Sequence, residues 1–285
     1  MRLSPAIGTL LIGCGYLGAA MVRALGGRTV VALTRGSSRH PALAVAGVLC
    51  VACDLAAPEL HTALRPALRD FRGAVFVLVP PSAWPDEALQ SALGRLTDLL
   101  RELDVTRAVL TSSTAVYGDA EGAWVSAESA VQDADARSHK LLAIEQAWMR
   151  AGLDSYVVRL AGLYGPGRVI GAAGLRRGDA IAGPDDDWLN LLHIEDAARA
   201  VLATASATTP LRYALIGDGQ PLLRRDYYAA LATQIGVPAP HFTGSGGRRA
   251  GSRRCDPASS WAALGLTPRW PDCRAALPAV LATPT

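Results

Sequence analysis

Lysine is nearly missing from this sequence: of 28 basic residues only Lys140 is a lysine, and the rest are arginines. Charge of either sign is sparse. Charged residues make up 19% of the chain, and 25 acidic residues leave a net charge of +3. So small a basic excess, with no aromatic-studded basic stripe, argues against a nucleic-acid partner. No apolar run reaches the length of a bilayer span, so no membrane partner is expected. Cysteines number five, odd and scattered, which suits a reducing compartment rather than a disulfide framework. Cys50 and Cys53 form a C-x-x-C inside the apolar run "GVLCVACDL". Side chains three apart in a strand point to opposite faces, so packing is expected there rather than redox chemistry. No residues have metal-ligand spacing, and no metal is expected. The start, Met1-Arg2-Leu3-Ser4-Pro5, leads into "TLLIG" without the apolar region or cleavage site of a signal peptide, so a cytoplasmic location is expected.

What is present is apolar: 50% of 285 residues, enough to bury roughly three quarters of the unfolded surface. Apolar runs alternate with helical patterns. Strands are expected at 9–12, 29–33, 48–53, 74–79, 107–111 and 155–160, and helices at 17–25, 58–69, 85–103 and 137–151. Such alternation predicts a parallel sheet covered by helices on both faces. After about residue 162 the pattern loosens, with helices expected at 195–206, 222–235 and 256–264 and a strand at 211–216. The expected organisation is a domain over 1–162 and a small C-terminal α/β lobe over 163–285, together one unit. Ligands of such sheets bind beyond the carboxyl ends of the strands.

The motifs fall at those ends. Gly13-x-Gly15-x-x-Gly18 follows a strand and opens a helix, with Tyr16 and Leu17 inside it. The first glycine permits a tight turn, the second lets backbone approach a pyrophosphate, and the third lets helix and strand pack closely. This reads as the dinucleotide turn of a Rossmann-type, doubly wound fold. The next strand ends at Thr34-Arg35, with Ser37, Ser38 and Arg39 behind it, where a carboxylate would bind the ribose 2′-hydroxyl of NAD. Arginine and hydroxyl donors suit a 2′-phosphate instead, which predicts NADP(H). A solvated basic turn is the alternative. Asp54 and Leu55 would sit beside the adenine, and Val79 and Pro80 beside the cofactor ribose.

Further along stand Ser112-Ser113-x-x-Val116-Tyr117-Gly118, "RLAGLYGPGR" (159–168), "NLLHIEDAARAV" (190–201) and "RRCDPASSWAALGLTPRWP". With the glycine turn, these resemble the extended short-chain dehydrogenase/reductase family, which includes nucleotide-sugar epimerases and dehydratases. The resemblance covers nearly the whole chain. It implies that Ser113 bonds the substrate oxygen, that Ser112 lies at the cofactor, and that Ser82, Thr114 and Tyr164 line the substrate pocket. Trp84, Arg168 and Trp188 are candidates for the substrate wall, and His193 has a structural role. In the family a tyrosine four residues before a lysine moves the proton. Here Ala136 stands four residues before Lys140, and aligning on Glu145 instead puts Arg137 at the tyrosine and Leu141 at the lysine. Neither alignment yields a tyrosine, so the chain is like an atypical branch.

The proton donor stays open between Tyr117, Tyr164, His139 and Lys140. Lys140 is read either as a solvated helix lysine or as a group facing nicotinamide or substrate. Arg137 is a poor acid. A substrate C=N needs little help, because its nitrogen is far more basic than a carbonyl oxygen. Three functions follow: an NADPH-dependent reductase of an imine, thiazoline or C=O group in specialised biosynthesis; a nucleotide-sugar epimerase or dehydratase with a relocated acid; or a non-catalytic NADP(H) sensor. Arg248, Arg249, Arg253 and Arg254 form a solvated loop or a dock for an acidic carrier protein bearing a tethered small-molecule substrate. A homodimer is a further expectation.

Overall fold

The computed structural model describes residues 8–26, 29–69, 71–84, 87–208, 211–245 and 251–283. Its first strand, β1 (Gly8–Ile12), is buried at every position, as a strand covered on both faces must be. So is β2 (Val30–Thr34) up to its last residue. The edge strand β3 (Val48–Ala52) is mostly part-exposed, whereas β4 (Arg72–Val77) is buried after its first residue. With β5 (Asp104–Ser113) and the strands Ser155–Leu160 and Tyr213–Ile216 they form one seven-stranded sheet. Its order is Tyr213–Ile216, Ser155–Leu160, β5, β4, β1, β2, β3. The pairs β1–β2, β2–β3, β1–β4 and β4–β5 are parallel. The chain therefore winds outward in both directions from β1, which is the mostly parallel, doubly wound α/β sheet expected from the strand–helix alternation.

Helices cover it where the periodicity says they should. α1 (Tyr16–Leu25) buries Leu17, Gly18, Met21, Val22 and Leu25 and ends on left-handed Gly26. α2 (His40–Val45) is not anticipated by periodicity, being six residues opened by Pro41. The helix expected at 58–69 is shorter. α3 (Leu60–Leu64) gives way to a 3₁₀ turn at Arg65–Leu68, because Pro66 has no N–H for the helical ladder. α4 (Leu89–Glu102) buries Leu89, Leu93, Leu96 and Leu100 along one face; residues 85–86 of the expected helix lie outside the described residues. α5 (Ala136–Met149) matches its expected span closely. The last helix, Cys273–Ala282, also escapes the sequence reading, since it holds Pro278. It forms because Asp272 accepts the Arg274 N–H at 2.9 Å and caps it.

Contacts divide the chain into two compact units that interleave in sequence. One comprises Met1–Ser112, Lys140–Val158 and Val201–Arg212, the other Ser113–His139, Arg159–Ala200 and Tyr213–Thr285. The second is built on Tyr164, Leu175, Leu191, Tyr227, Leu231 and Leu277. Two buried carboxyls punctuate it. Asp196 accepts the backbone N–H groups of Arg269 and Trp270, each at 2.8 Å, and Arg199 at 2.7 Å. Asp218 is 4% exposed. Its Oδ1 accepts the Gln220 N–H at 3.0 Å, but Oδ2 has no partner. Burial, the largest cause, raises this carboxyl from 3.8 to about 8.

Two outcomes follow. Gly73 faces Gly8 across the β1–β4 pair, and a Cβ there would collide with the Gly8 backbone. Gly73→Ala should cost about 3 kcal/mol or more; an unchanged Tm would refute this close approach. Folded Asp218 keeps a proton that the unfolded chain has released, so stability should be lost as pH rises from 3.8 through about 8. Asp218→Asn should flatten that decline in urea unfolding, and an unaltered slope would assign the decline to other groups.

Candidate active site

The glycine turn is where the chain comes closest to itself. Gly13 has φ +90°, and a Cβ on it would meet the Val79 side chain at 3.3 Å. A Cβ on Gly18 would meet Cys14 Sγ at 3.1 Å and the Gly13 carbonyl at 3.2 Å. Gly15 is open, with only Arg39 Nη1 within 4 Å of the same construction, at 3.9 Å. No side chain caps α1, and the N-terminus of a helix of ten residues is the arrangement that holds a pyrophosphate. Leu17 and Gly18 are buried and seat the helix, with Tyr16 part-buried beside them. Cys14 is 5% exposed, and burial pushes its thiol up to about 11, which keeps it protonated and inert.

A cleft of about 540 Å³ opens on this turn. It gathers Gly13, Gly15, Thr34, Arg35, Arg39, Asp54, Leu55, Val79 and Pro80 of the expected cofactor residues, and adds Cys14, Gly36, Ser38 and Ala83. Ser37 is exposed outside its lining. The 2′-phosphate donors are not equivalent. The Thr34 hydroxyl donates to the Gly36 carbonyl at 3.0 Å and lies 2.6 Å from His40 Nε2. Arg39 donates to the Cys14 carbonyl at 3.4 Å, across the glycine turn. Arg35 is exposed and has no ion-pair partner among the described residues. His40 could not be foreseen because α2, which carries it, is too short to show periodicity. Asp54 accepts the Ala56 N–H at 2.8 Å, so its carboxylate shapes the turn after β3. The Ser112 hydroxyl is buried without a partner among the described residues, an orphan that a ligand amide would satisfy.

The loop after β4 closes the cleft. Trp84 is 2% exposed, and its indole donates to the Val79 carbonyl at 3.3 Å; it braces the loop from inside. Lys140 Nζ donates to the Trp84 carbonyl at 2.6 Å. The only lysine thus ties α5 to the Val79–Trp84 loop. Ser82 is exposed on that loop.

In the second unit the Ser113 Oγ accepts the Ala115 N–H at 3.2 Å and caps the 3₁₀ turn Thr114–Tyr117. Its own O–H stays available to donate. Tyr117 is fully buried. Its hydroxyl accepts from Arg159 at 3.2 Å, with the guanidinium 5.2 Å from the Tyr117 ring and 4.6 Å from the Tyr213 ring. Burial drives the Tyr164 phenol well above its usual range, and that hydroxyl has no partner. The Tyr164 phenol is not placed as an acid near neutrality. His193 is 1% exposed, packs on Tyr164 and Trp270, accepts the Glu195 N–H at 3.3 Å, and is lowered by burial. His139 is turned onto Asp133 at 2.7 Å.

α5 opens with Asp135 accepting the Ser138 N–H at 2.7 Å, and this bond lowers the Asp135 carboxyl. Ala136 and Arg137 are both exposed beside it. Thr114 bonds the Cys255 thiol. Trp188 is one face of a stack in which the Arg254 guanidinium lies 5.0 Å from both the Trp188 and the Trp124 ring. Arg168 lies exposed in a tight turn with Gly165. Of the basic loop, Arg253 is buried and donates to the Gly118 carbonyl at 2.7 Å. Arg248 and Arg249 lie outside the described residues. Among the described residues no group of His, Cys, Asp or Glu could hold a metal ion, and no helix is long and apolar enough to cross a membrane.

Residues 10–213 match the NAD dependent epimerase/dehydratase family. Protein YeeZ of Escherichia coli K12 is 30% identical over 217 residues, 72% of this chain and 74% of that protein. A functionally unknown conserved protein from Silicibacter pomeroyi superposes with TM-score 0.79 at 23% identity, covering 96% of this chain and 98% of its own. UDP-glucuronic acid 4-epimerase from Bacillus cereus, in complex with UDP-glucuronic acid and NAD, gives TM-score 0.81 at 16% identity over 96% and 98%. Those two superpositions concern the fold; the matched span and the relative at 30% identity decide kinship. The chain belongs to the NAD dependent epimerase/dehydratase family of extended short-chain dehydrogenases/reductases, whose enzymes use a nicotinamide cofactor.

Proposed function

We propose that this chain is an NADP(H)-dependent reductase of a small-molecule C=N bond, such as an imine or thiazoline, or of a C=O bond. One observation carries the reading: α5 keeps Lys140 bound to the cleft loop yet begins with exposed Ala136 where the family places its tyrosine. The chain retains what holds a cofactor and lacks the group that moves a proton to or from oxygen. When bound, the reduced nicotinamide supplies a hydride to the substrate carbon. The N-terminus of α1 and Arg39 would hold the phosphates, and Arg35 would receive the 2′-phosphate. The Ser113 hydroxyl would donate to a carbonyl oxygen, or its oxygen would accept the N–H of an iminium. An iminium nitrogen arrives protonated, so the π pair released by hydride addition settles on it without an enzymic acid. General-acid help of roughly 10²–10⁴-fold is then dispensable. A nucleotide-sugar epimerase must take a proton from a hydroxyl, and the buried Tyr117 and Tyr164 are poor candidates for that task. Specialised biosynthesis and a carrier-tethered substrate accord with this chemistry.

Arg35→Ala should weaken NADPH binding by about 1.5–3 kcal/mol, roughly 10- to 100-fold, and leave NADH nearly unchanged. Equal affinities for the two cofactors in the wild type would remove the NADP(H) assignment. In single turnover with bound NADPH, imines or activated ketones should be reduced and nucleotide sugars left intact; epimerisation of a nucleotide sugar would overturn the reading. Ser113→Ala should lower kcat/KM by about 1–2 kcal/mol. Lys140→Met should weaken NADPH binding through the loosened Val79–Trp84 loop, with the pH profile of kcat unchanged. A displaced profile would make Lys140 the acid instead.

A further inference from the structure

The second unit contains a cleft that shares no lining residue with the cofactor site. Its volume is about 560 Å³, within the range of small-ligand pockets. Trp124, Trp261 and Pro268 supply apolar walls, and Asp218, Gln220 and Asp256 supply the side-chain polar groups. No lysine, arginine or histidine lines it. Asp256 is exposed, and its Oδ1 accepts the Ala258 N–H at 3.0 Å. Asp218 is the unusual member, because a carboxyl buried to 4% exposure normally has every oxygen bonded. Oδ1 is occupied by the Gln220 amide, and Oδ2 has no partner among the described residues. The Trp124 indole already accepts one cation, since the Arg254 guanidinium lies 5.0 Å from its ring centroid.

We propose that this cleft binds a small organic cation, an ammonium or guanidinium, which stacks against Trp124 and donates to the Asp218 carboxyl. Two carboxyls and two indoles, with no cationic side chain in the lining itself and Arg254 already stacked on Trp124, make a surface suited to a positive, hydrogen-bond-donating ligand. Asp218 lines the cleft, and its buried Oδ2 has no hydrogen-bond partner among the described residues.

The charged and titratable groups facing Asp218 point the same way. Asp272 and Asp196 raise its pKa, and the nearby Tyr164, Cys273 and Cys255 are neutral groups whose own ionisation is suppressed by burial. Asp196 is paired with Arg199 and Asp272 with Arg274. With the carboxyl at about 8, a cation must displace a proton at lower pH, so binding should tighten as pH rises toward that value and then level off.

Tryptophan fluorescence and calorimetric titrations with agmatine and with benzylammonium test the proposal, with benzyl alcohol as the neutral control. The proteins are wild type, Asp218→Asn and Trp124→Ala. Both cations should bind the wild type saturably near pH 9, and about a hundredfold more weakly near pH 6, where the carboxyl at about 8 holds its proton. Asp218→Asn, which keeps the shape and removes the charge, should lose about tenfold or more in affinity, and Trp124→Ala should also bind more weakly. NADPH affinity should be unchanged in both variants, which separates loss of this cleft from loss of the fold. Absence of saturable binding near pH 9, wild-type affinity in Asp218→Asn, or equal binding of benzyl alcohol would each overturn it. So would binding of an acetylated, amidated arginine tripeptide without binding of agmatine, which would make the occupant a protein side chain.

Discussion

The approach of backbone to backbone around β1 is the constraint on which the rest of the structure depends. Gly8 lies against Gly73 at one end of the strand, and Gly13 lies against Leu78 and Val79 at the other. Gly18 then lets α1 settle onto the Gly13 carbonyl. Side chains at these places would push β4 and α1 outward and close the space above the sheet. Because they are absent, the glycine turn before α1 lines a cleft that the loop leaving β4 also lines. Electrostatics follow from this packing: an uncapped helix terminus favours anions, and the arginines after β2 extend the same preference along the cleft.

Lys140 gains its meaning from that loop. A lysine on a helix surface is by default a solvated charge, yet here it donates to the Trp84 carbonyl, and Trp84 in turn donates to Val79. This relay joins α5 to the wall of the cofactor cleft. It also separates two duties that the family's tyrosine–lysine pair combines. Lys140 holds the loop, whereas the residue four positions earlier is an exposed alanine. At the start of α5, Asp135 and Ser138 spend their polar atoms on each other and on the backbone, so the helix terminus contributes stability and no acid. The second unit stores its polar groups differently, burying Asp196 fully satisfied and Asp218 half satisfied, and only the latter retains capacity for a ligand.

How much of this was legible in the sequence differs from element to element. Strands such as "AVFVLV" and the Gly13–Gly18 turn were readable because each depends on residues adjacent in the chain. The helix suggested by periodicity at 58–69 is shorter in the structure because Pro66 interrupts its hydrogen-bond ladder. α2 and the helix holding Pro278 were missed because one is short and the other is secured by its Asp272 cap rather than by periodicity.

The sequence by itself determined the sheet, its parallel winding, the dinucleotide turn and the missing tyrosine, since period, glycine spacing and residue identity are local properties. Only the tertiary structure decided the use of each polar side chain. It turned Trp84 inward, spent Thr34 on Gly36 and His40, stacked Arg254 between two tryptophans and left Asp218 Oδ2 without a partner. These outcomes join residues as far apart as 124 and 254 or 84 and 140. Whether a hydroxyl, indole or carboxyl is free for a ligand depends on which distant backbone groups folding brings within hydrogen-bond range, and no local pattern encodes that distance.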